Sequence, residues 1–148
     1  MAASSHSLTS PAPSSGLLAS LGIATVNVYR RVRIALFATG DELREVDESL
    51  DAGQIHDSNR YVLRALLTQA GVTCVDMGIV RDRREQVRAA LAEAAKAADL
   101  IISSGGASVG ETDYIQKTLA ELGEVNFWRI AMKPGKPLAF GRIGRAHF

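Results

Sequence analysis

Three largely apolar runs, each leading into a stretch of helical periodicity, constrain what this chain can fold into. They are "VRIALFAT" (32–39), "VTCVDMGIV" (72–80) and "DLIIS" (99–103). A strand with one wet face alternates apolar and polar residues, whereas a strand covered on both faces reads as a continuous apolar run. After the first run, Val62, Leu63, Leu66, Leu67 and Ala70 recur at helical spacing and predict one inward face, with Gly71 as the C-terminal cap. After the second, Val87, Leu91, Ala94, Ala95 and Ala98 predict a helix over 84–97. Ile115, Leu119 and Leu122 predict a third that ends at Gly123, and "EVNFWRIAM" and "PLAFGRI" add two strands. Strands alternating with helices define an α/β class: a doubly wound, mainly parallel sheet with helices on both faces.

Composition narrows the function classes. The 148 residues suffice for one real core. A net charge of +1 gives no general affinity for nucleic acid or membrane, so neither is expected as a partner. No apolar run approaches the ~18 residues of a membrane span, and the start lacks a basic region followed by an apolar core. A cytoplasmic location is the expectation. The single cysteine, Cys74, excludes an internal disulfide and reads as a packed small hydrophobe. Residues 1–15, "MAASSHSLTSPAPSS", lack apolar bulk and are expected to be disordered linker. Residues 16–31 form a lead-in with a short helical turn and a β-like "ATVNVYR", and 32–148 form the α/β domain.

Ligands of open parallel sheets bind beyond the carboxyl ends of the strands. The segments just past each strand therefore matter most. The first strand leads into "TGDEL" (39–43), the second into Arg81 and Asp82, the third into "SSGGASVGETDY" (103–114), and the fourth into "KPGKP" (133–137). Taken singly, Gly40–Asp41 suits a plain turn, Asp82 a helix cap, and Lys133 and Lys136 solvated turn charges. His56 suits a hydrogen-bonded loop position, and one of Asp57, Ser58 and Asn59 should cap the helix beyond. "RDRREQVR" reads as a solvated helix face. The segment 103–114 is harder to dismiss, because two adjacent glycines and a third exceed what a turn needs. Glycines let a ligand approach the backbone, and a helix N-terminus favours anions. Acids beside a phosphate-binding loop would repel the ligand unless a divalent cation lies between. Glu42, Asp82 and Asp113 make a carboxylate set of the kind that suits Mg²⁺.

Together, "TGDEL", "GQIHDSN", "GIVRD", "DLIISSGGASVGETDY" and "KPGKPLAFG" resemble, in order and spacing, the molybdopterin-binding domain of molybdopterin molybdenumtransferases, the MoeA and gephyrin E-domain family. The resemblance runs from about Val32 to Gly141. The related adenylyltransferases and competence-damage-like proteins usually carry "TGGTG" or "TGGLGPT" in the third-strand loop instead. The resemblance implies a reaction in which adenylylated molybdopterin and molybdate give molybdenum cofactor with release of AMP, assisted by Mg²⁺. It implies Glu42, Asp82 and Asp113 as catalytic and metal-binding acids. It implies Thr39, Gly40, Asp41, Asn59, Ser104, Gly105, Gly106, Ser108, Gly110, Lys133, Gly135 and Lys136 as the substrate-binding set. A homo-oligomer is implied too, dimeric in the full-length family, with a trimer open to the isolated domain. Family members run to several hundred residues in four domains, so this chain is expected to be a single domain truncated at its C-terminus. Two other readings stand beside this one: adenylyl transfer from MgATP to molybdopterin, and a non-catalytic molybdopterin-binding or scaffold module.

Overall fold

The computed structural model describes residues 3–7, 12–105, 114–129 and 137–148. The chain divides into two compact units, Met1–Arg31 and Val32–Phe148. In the first, β1 (Ala3–Ser7) pairs antiparallel with β2 (Thr25–Tyr29), and α1 (Ala12–Ser20) lies between them in sequence. Within 1–15, the stretch that the sequence reads as linker, lie β1 and the start of α1. A backbone ladder forms there without the apolar bulk that the sequence lacks, because main-chain hydrogen bonds need no side chains.

The second unit contains β3 (Arg33–Thr39), β4 (Leu43–Arg44), β5 (Ile55–His56), α2 (Asn59–Gln69) and β6 (Thr73–Val80). It continues with α3 (Arg84–Ala97), β7 (Leu100–Ser104), α4 (Tyr114–Leu122), β8 (Glu124–Arg129), β9 (Pro137–Ile143) and β10 (Ala146–His147). Six strands make one sheet in the order β6-β3-β7-β10-β9-β8. β6, β3, β7 and β10 run parallel, while β9 is antiparallel to both β10 and β8. The sheet is thus the mainly parallel one that the alternation predicts, with β9 alone reversed and the edge strand β8 running with the rest.

The most buried strand is β3, second from the β6 edge and covered from Ile34 to Thr39. Its Ala35 and Phe37 join a core with Val87, Leu91 and Ala94 of α3, Ile115 and Leu119 of α4, and Ile101 of β7. The spacing of the buried residues on α3, with Ala90 completing the stripe, is that of one helical face. Alternate residues of β3, Ile34, Leu36 and Ala38, point to the opposite face. There α2 packs along β6 and β3.

The inward face of α2 differs from the expected one. Val62 and Leu66 are 58% and 55% exposed, and Leu63 and Leu67 are partly exposed as well. The fully buried residue of this helix is Arg60. The inward side therefore begins at position 60, a place taken by a cation that three carboxylates neutralise. Cys74 is half-buried on β6, where burial pushes its thiol pKa up, in keeping with an inert, packed side chain.

Candidate functional site

Three neighbouring strands, β6, β3 and β7, end together on one rim. Thr39 pairs with Val80 and Ala38 with Ser104, so the chain leaves all three strands at one level. Thr39 is buried, and its Oγ1 has no hydrogen-bond partner among the described residues. Gly105, the first residue beyond β7, lies directly against the end of β3. A Cβ at Gly105 would lie 2.4 Å from the Thr39 carbonyl oxygen, and Gly105 holds φ +94°. Only glycine meets both demands, so the close approach of the two strand ends is built into the sequence.

Asp41 and Glu42 come next, in a turn closed by the Leu43 N–H donating to the Gly40 carbonyl at 3.3 Å. The Glu42 carboxylate folds back over Gly40, with its oxygens 2.7 Å from where a Cβ would stand. At the end of β6 the Asp82 N–H donates to Asp41 Oδ1 at 3.2 Å. Arg81 Nη1 donates to the carbonyls of Asp41 at 3.2 Å and Leu43 at 3.3 Å. Arg44 Nη1 donates to the same two carbonyls, at 3.1 and 2.8 Å. Both arginines therefore spend donors on backbone rather than on the acids. Burial, together with the negative charges of Asp41 and Glu42, pushes the Asp82 carboxyl up from the ordinary aspartate value. Among the described residues no cation pairs with these three acids.

Of the other expected residues, Ser104 is half-buried at the end of β7, and Asn59 is exposed at the start of α2. Gly106, Ser108, Gly110, Asp113, Lys133, Gly135 and Lys136 lie outside the described residues. Among the described residues no three acidic, histidine or cysteine side chains already form a metal-binding group. Glu42 and Asp82 would thus need a further ligand. His56 is exposed, with Nε2 3.0 Å from the Glu48 carbonyl, the loop position its sequence context suggests. Ser58 holds the N-cap position of α2 without a side-chain bond, and Asp57, one residue earlier, accepts the Arg60 N–H on Oδ1 at 3.1 Å. The solvated face of α3 carries Arg84 and Arg88, both paired with Glu121 of α4, at 2.6 and 2.9 Å. An open cleft of about 480 Å³ beside this pair, lined by Arg84, Tyr114, Lys117, Ala120 and Glu121, lies between two helices and not among the rim acids.

Sequence reasoning missed Arg44 and Arg60. Arg44 carries no periodic signal. Arg60 does, since it falls on the same helical stripe as Leu63 and Leu67 and stands three residues after Asp57.

The fold and rim define a doubly wound α/β domain with an acidic, glycine-crossed site at the carboxyl ends of its parallel strands. Residues 35–147 match the family model described as a probable molybdopterin binding domain, and the chain belongs to that family. It is 47% identical over 132 residues to a molybdopterin molybdenumtransferase of Haemophilus influenzae, covering 89% of this chain and 33% of that protein. It is 38% identical to gephyrin of Dictyostelium discoideum, covering 86% of this chain and 20% of that protein. Among solved structures, a molybdopterin biosynthesis MoeA protein from Pyrococcus horikoshii superposes with a TM-score of 0.78 at 33% identity, covering 91% of this chain and 33% of that one. The chain spans a third or less of these relatives' length.

Proposed function

We propose that this domain binds molybdopterin in its adenylylated form and serves molybdate insertion with release of AMP. One observation carries the reading. Three carboxylates, Asp41, Glu42 and Asp82, meet at a rim where the Gly105 turn lies bare against β3, so the acids and the start of the glycine-rich segment share one site. The names of the relatives support the pterin as the ligand and cofactor biosynthesis as its setting.

In this reading the segment from Ser104 through Gly105, Gly106, Ser108 and Gly110 receives the phosphate of the pterin. Thr39 Oγ1, buried and unpartnered among the described residues, supplies a hydroxyl at the floor of the same site. Lys133, Gly135 and Lys136 meet anionic oxygens as point charges and backbone donors. Asn59 borders the rim from α2. Glu42 and Asp82, joined by Asp113, would hold Mg²⁺, which would supply the positive charge that offsets repulsion between these acids and the pterin phosphate. The donor set fits that ion, being all oxygen and short of positive charge. Asp41 keeps its carboxylate on the Asp82 N–H and so orients the Asp82 backbone toward the shared site.

Calorimetric titration with molybdopterin and with its adenylylated form, each with and without Mg²⁺, tests this. Tighter, Mg²⁺-dependent binding of the adenylylated form is the expected result. A preference for plain molybdopterin together with ATP would favour adenylyl transfer instead. Substitution Asp113→Asn should weaken the Mg²⁺-dependent binding and leave folding nearly intact; equal loss of both would make Asp113 a structural cap.

A further inference from the structure

A second group of carboxylates lies behind the acidic rim, and its geometry has a consequence for the rim. Arg60, 5% exposed, donates from Nε to Asp57 Oδ2 at 2.8 Å and from Nη1 to both oxygens of Asp76 at 2.7 and 2.8 Å. Its Nη2 donates to Glu45 Oε2, which also receives the Tyr61 hydroxyl at 3.4 Å. Arg64 adds a bond to Asp76 Oδ2 at 3.2 Å. Every nitrogen of the Arg60 fork is therefore used, and its three carboxylates come from three separate stretches of chain.

Two of those stretches are the arms of the loop that carries Asp41 and Glu42. Glu45 comes directly after β4, and Asp57 directly after β5. The two short strands pair, with the Ile55 N–H donating to the Glu42 carbonyl and the Asp57 N–H to the Arg44 carbonyl, both at 3.0 Å. The third stretch is β6, which carries Asp82 two residues beyond its end. Asp76 sits where the β3–β6 register shifts: it pairs with Leu36, whereas Ile79 pairs with Ala38. Its Oδ1 accepts the Gly78 N–H at 3.0 Å, and Gly78 holds φ +74°. The nearest atom to a Cβ at Gly78 would be Glu45 Oε1, at 3.8 Å. The irregularity that re-aims the end of β6 and the clamp that holds the loop are thus one structure.

We propose that Arg60 is a positioning residue for the acidic rim: it ties the Glu42 loop, through Glu45 and Asp57, to the Asp76–Gly78 irregularity of β6, and so fixes Asp41 and Glu42 opposite Asp82. Its value for ligand binding rests on the proposed function of the rim; the mechanical claim does not. A planar fork that serves three acids in fixed directions is something lysine cannot imitate.

The test uses the full chain, ¹⁵N-labelled, as wild type and as the variants Glu45→Gln and Arg60→Lys. Glu45→Gln releases one arm of the loop and leaves Asp57 and Asp76 paired with Arg60, so the fold is kept. In that variant the amides of Ile55 and Asp82 should exchange roughly tenfold faster, while those of Ala35 and Leu36 in β3 keep their rates, as expected for a local opening. The Asp82 amide proton should also move upfield as its bond to the Asp41 carboxylate weakens. Arg60→Lys should show the same changes. A uniform acceleration across β3 and the loop, or unchanged Ile55 and Asp82 amides, would overturn the proposal and leave the cluster a stability element only. Calorimetry with adenylylated molybdopterin and Mg²⁺ on the same samples separates the two claims. If wild type fails to bind, the reading of the rim fails while the exchange rates still decide the role of Arg60. If wild type binds and Glu45→Gln binds equally well with a loosened loop, the positioning claim fails.

Discussion

Two groups of three carboxylates flank the same loop, and the protein treats them in opposite ways. Glu45, Asp57 and Asp76 are drawn around Arg60 and Arg64. Asp41, Glu42 and Asp82 form no ion pair among the described residues, although Arg44 and Arg81 donate to carbonyls at the same turn. One member of each group titrates accordingly. Burial opposes ionisation at Asp76, yet the Arg60 hydrogen bonds, the Gly78 N–H and the two cations outweigh it and hold its pKa below the ordinary value. Burial and like charges act together on Asp82 and hold its pKa above it. A group whose charges are matched from within is structure; a group with no ion pair among the described residues, at the carboxyl ends of parallel strands, is the one that the proposed function assigns to a ligand.

This contrast is challenged most forcefully at Arg60. Arg60→Met leaves three acids around an apolar side chain and should cost about 3–5 kcal/mol, because a buried charge loses its partner. Urea unfolding measures this, and a cost under half that would mean water reaches the cluster freely. The next effect lies on the rim. Gly105→Ala places a Cβ against the Thr39 carbonyl at a left-handed φ, and strain of about 1–3 kcal/mol should appear together with loss of ligand binding. A smaller effect is expected from the exposed cluster on α3 and α4. Glu121→Gln removes two ion pairs made by half-exposed arginines and should cost roughly 0.2–1 kcal/mol, less in high salt. The smallest change carries the opposite sign: Asp82→Asn relieves repulsion and should stabilise the chain at neutral pH by less than about 1 kcal/mol.

The two groups also differ in pH dependence. With a depressed folded pKa, Asp76 contributes stability that is complete above the ordinary carboxylate range and disappears as pH falls through its folded value. Asp82, with a raised folded pKa, works the other way: its favourable contribution belongs to acid and is lost as pH rises from its unfolded to its folded value. Stability curves for Asp76→Asn should therefore lose part of the acid limb, and those for Asp82→Asn should fall less toward neutrality than wild type.

The parallel half of the fold is legible because β3, β6 and β7 carry largely apolar runs, broken in β6 only by Asp76. The antiparallel return through β9 and β10 is not, since a two-residue strand at Ala146–His147 leaves no pattern. β4 and β5 are equally short, so the small ladder that closes the loop arms leaves no trace either. Periodicity identifies α2 as a helix, but its leucines and valines alone misplace its inward face. A cation in a core-facing place looks like a surface residue until its partners, 15 and 16 positions away at Glu45 and Asp76, are known. The rim is readable for a different reason. Strand ends in an open parallel sheet share one edge, so naming the residues just past each strand already groups Thr39, Asp41, Glu42, Asp82 and Gly105. Hydrogen bonding there is not readable: Asp41 spends its carboxylate on a backbone N–H, and Arg44 and Arg81 give donors to carbonyls.

Binding of Mn²⁺, as a spectroscopic stand-in for Mg²⁺, to wild type and Asp82→Asn tests this division of the acids most directly when followed by electron paramagnetic resonance beside a thermal melt. The variant should lose at least roughly tenfold in affinity while its melting temperature stays level or rises, since a like charge and not a structural partner has been removed. Unchanged Mn²⁺ affinity, or a melting temperature that falls with the affinity, would contradict that division and make Asp82 part of the framework.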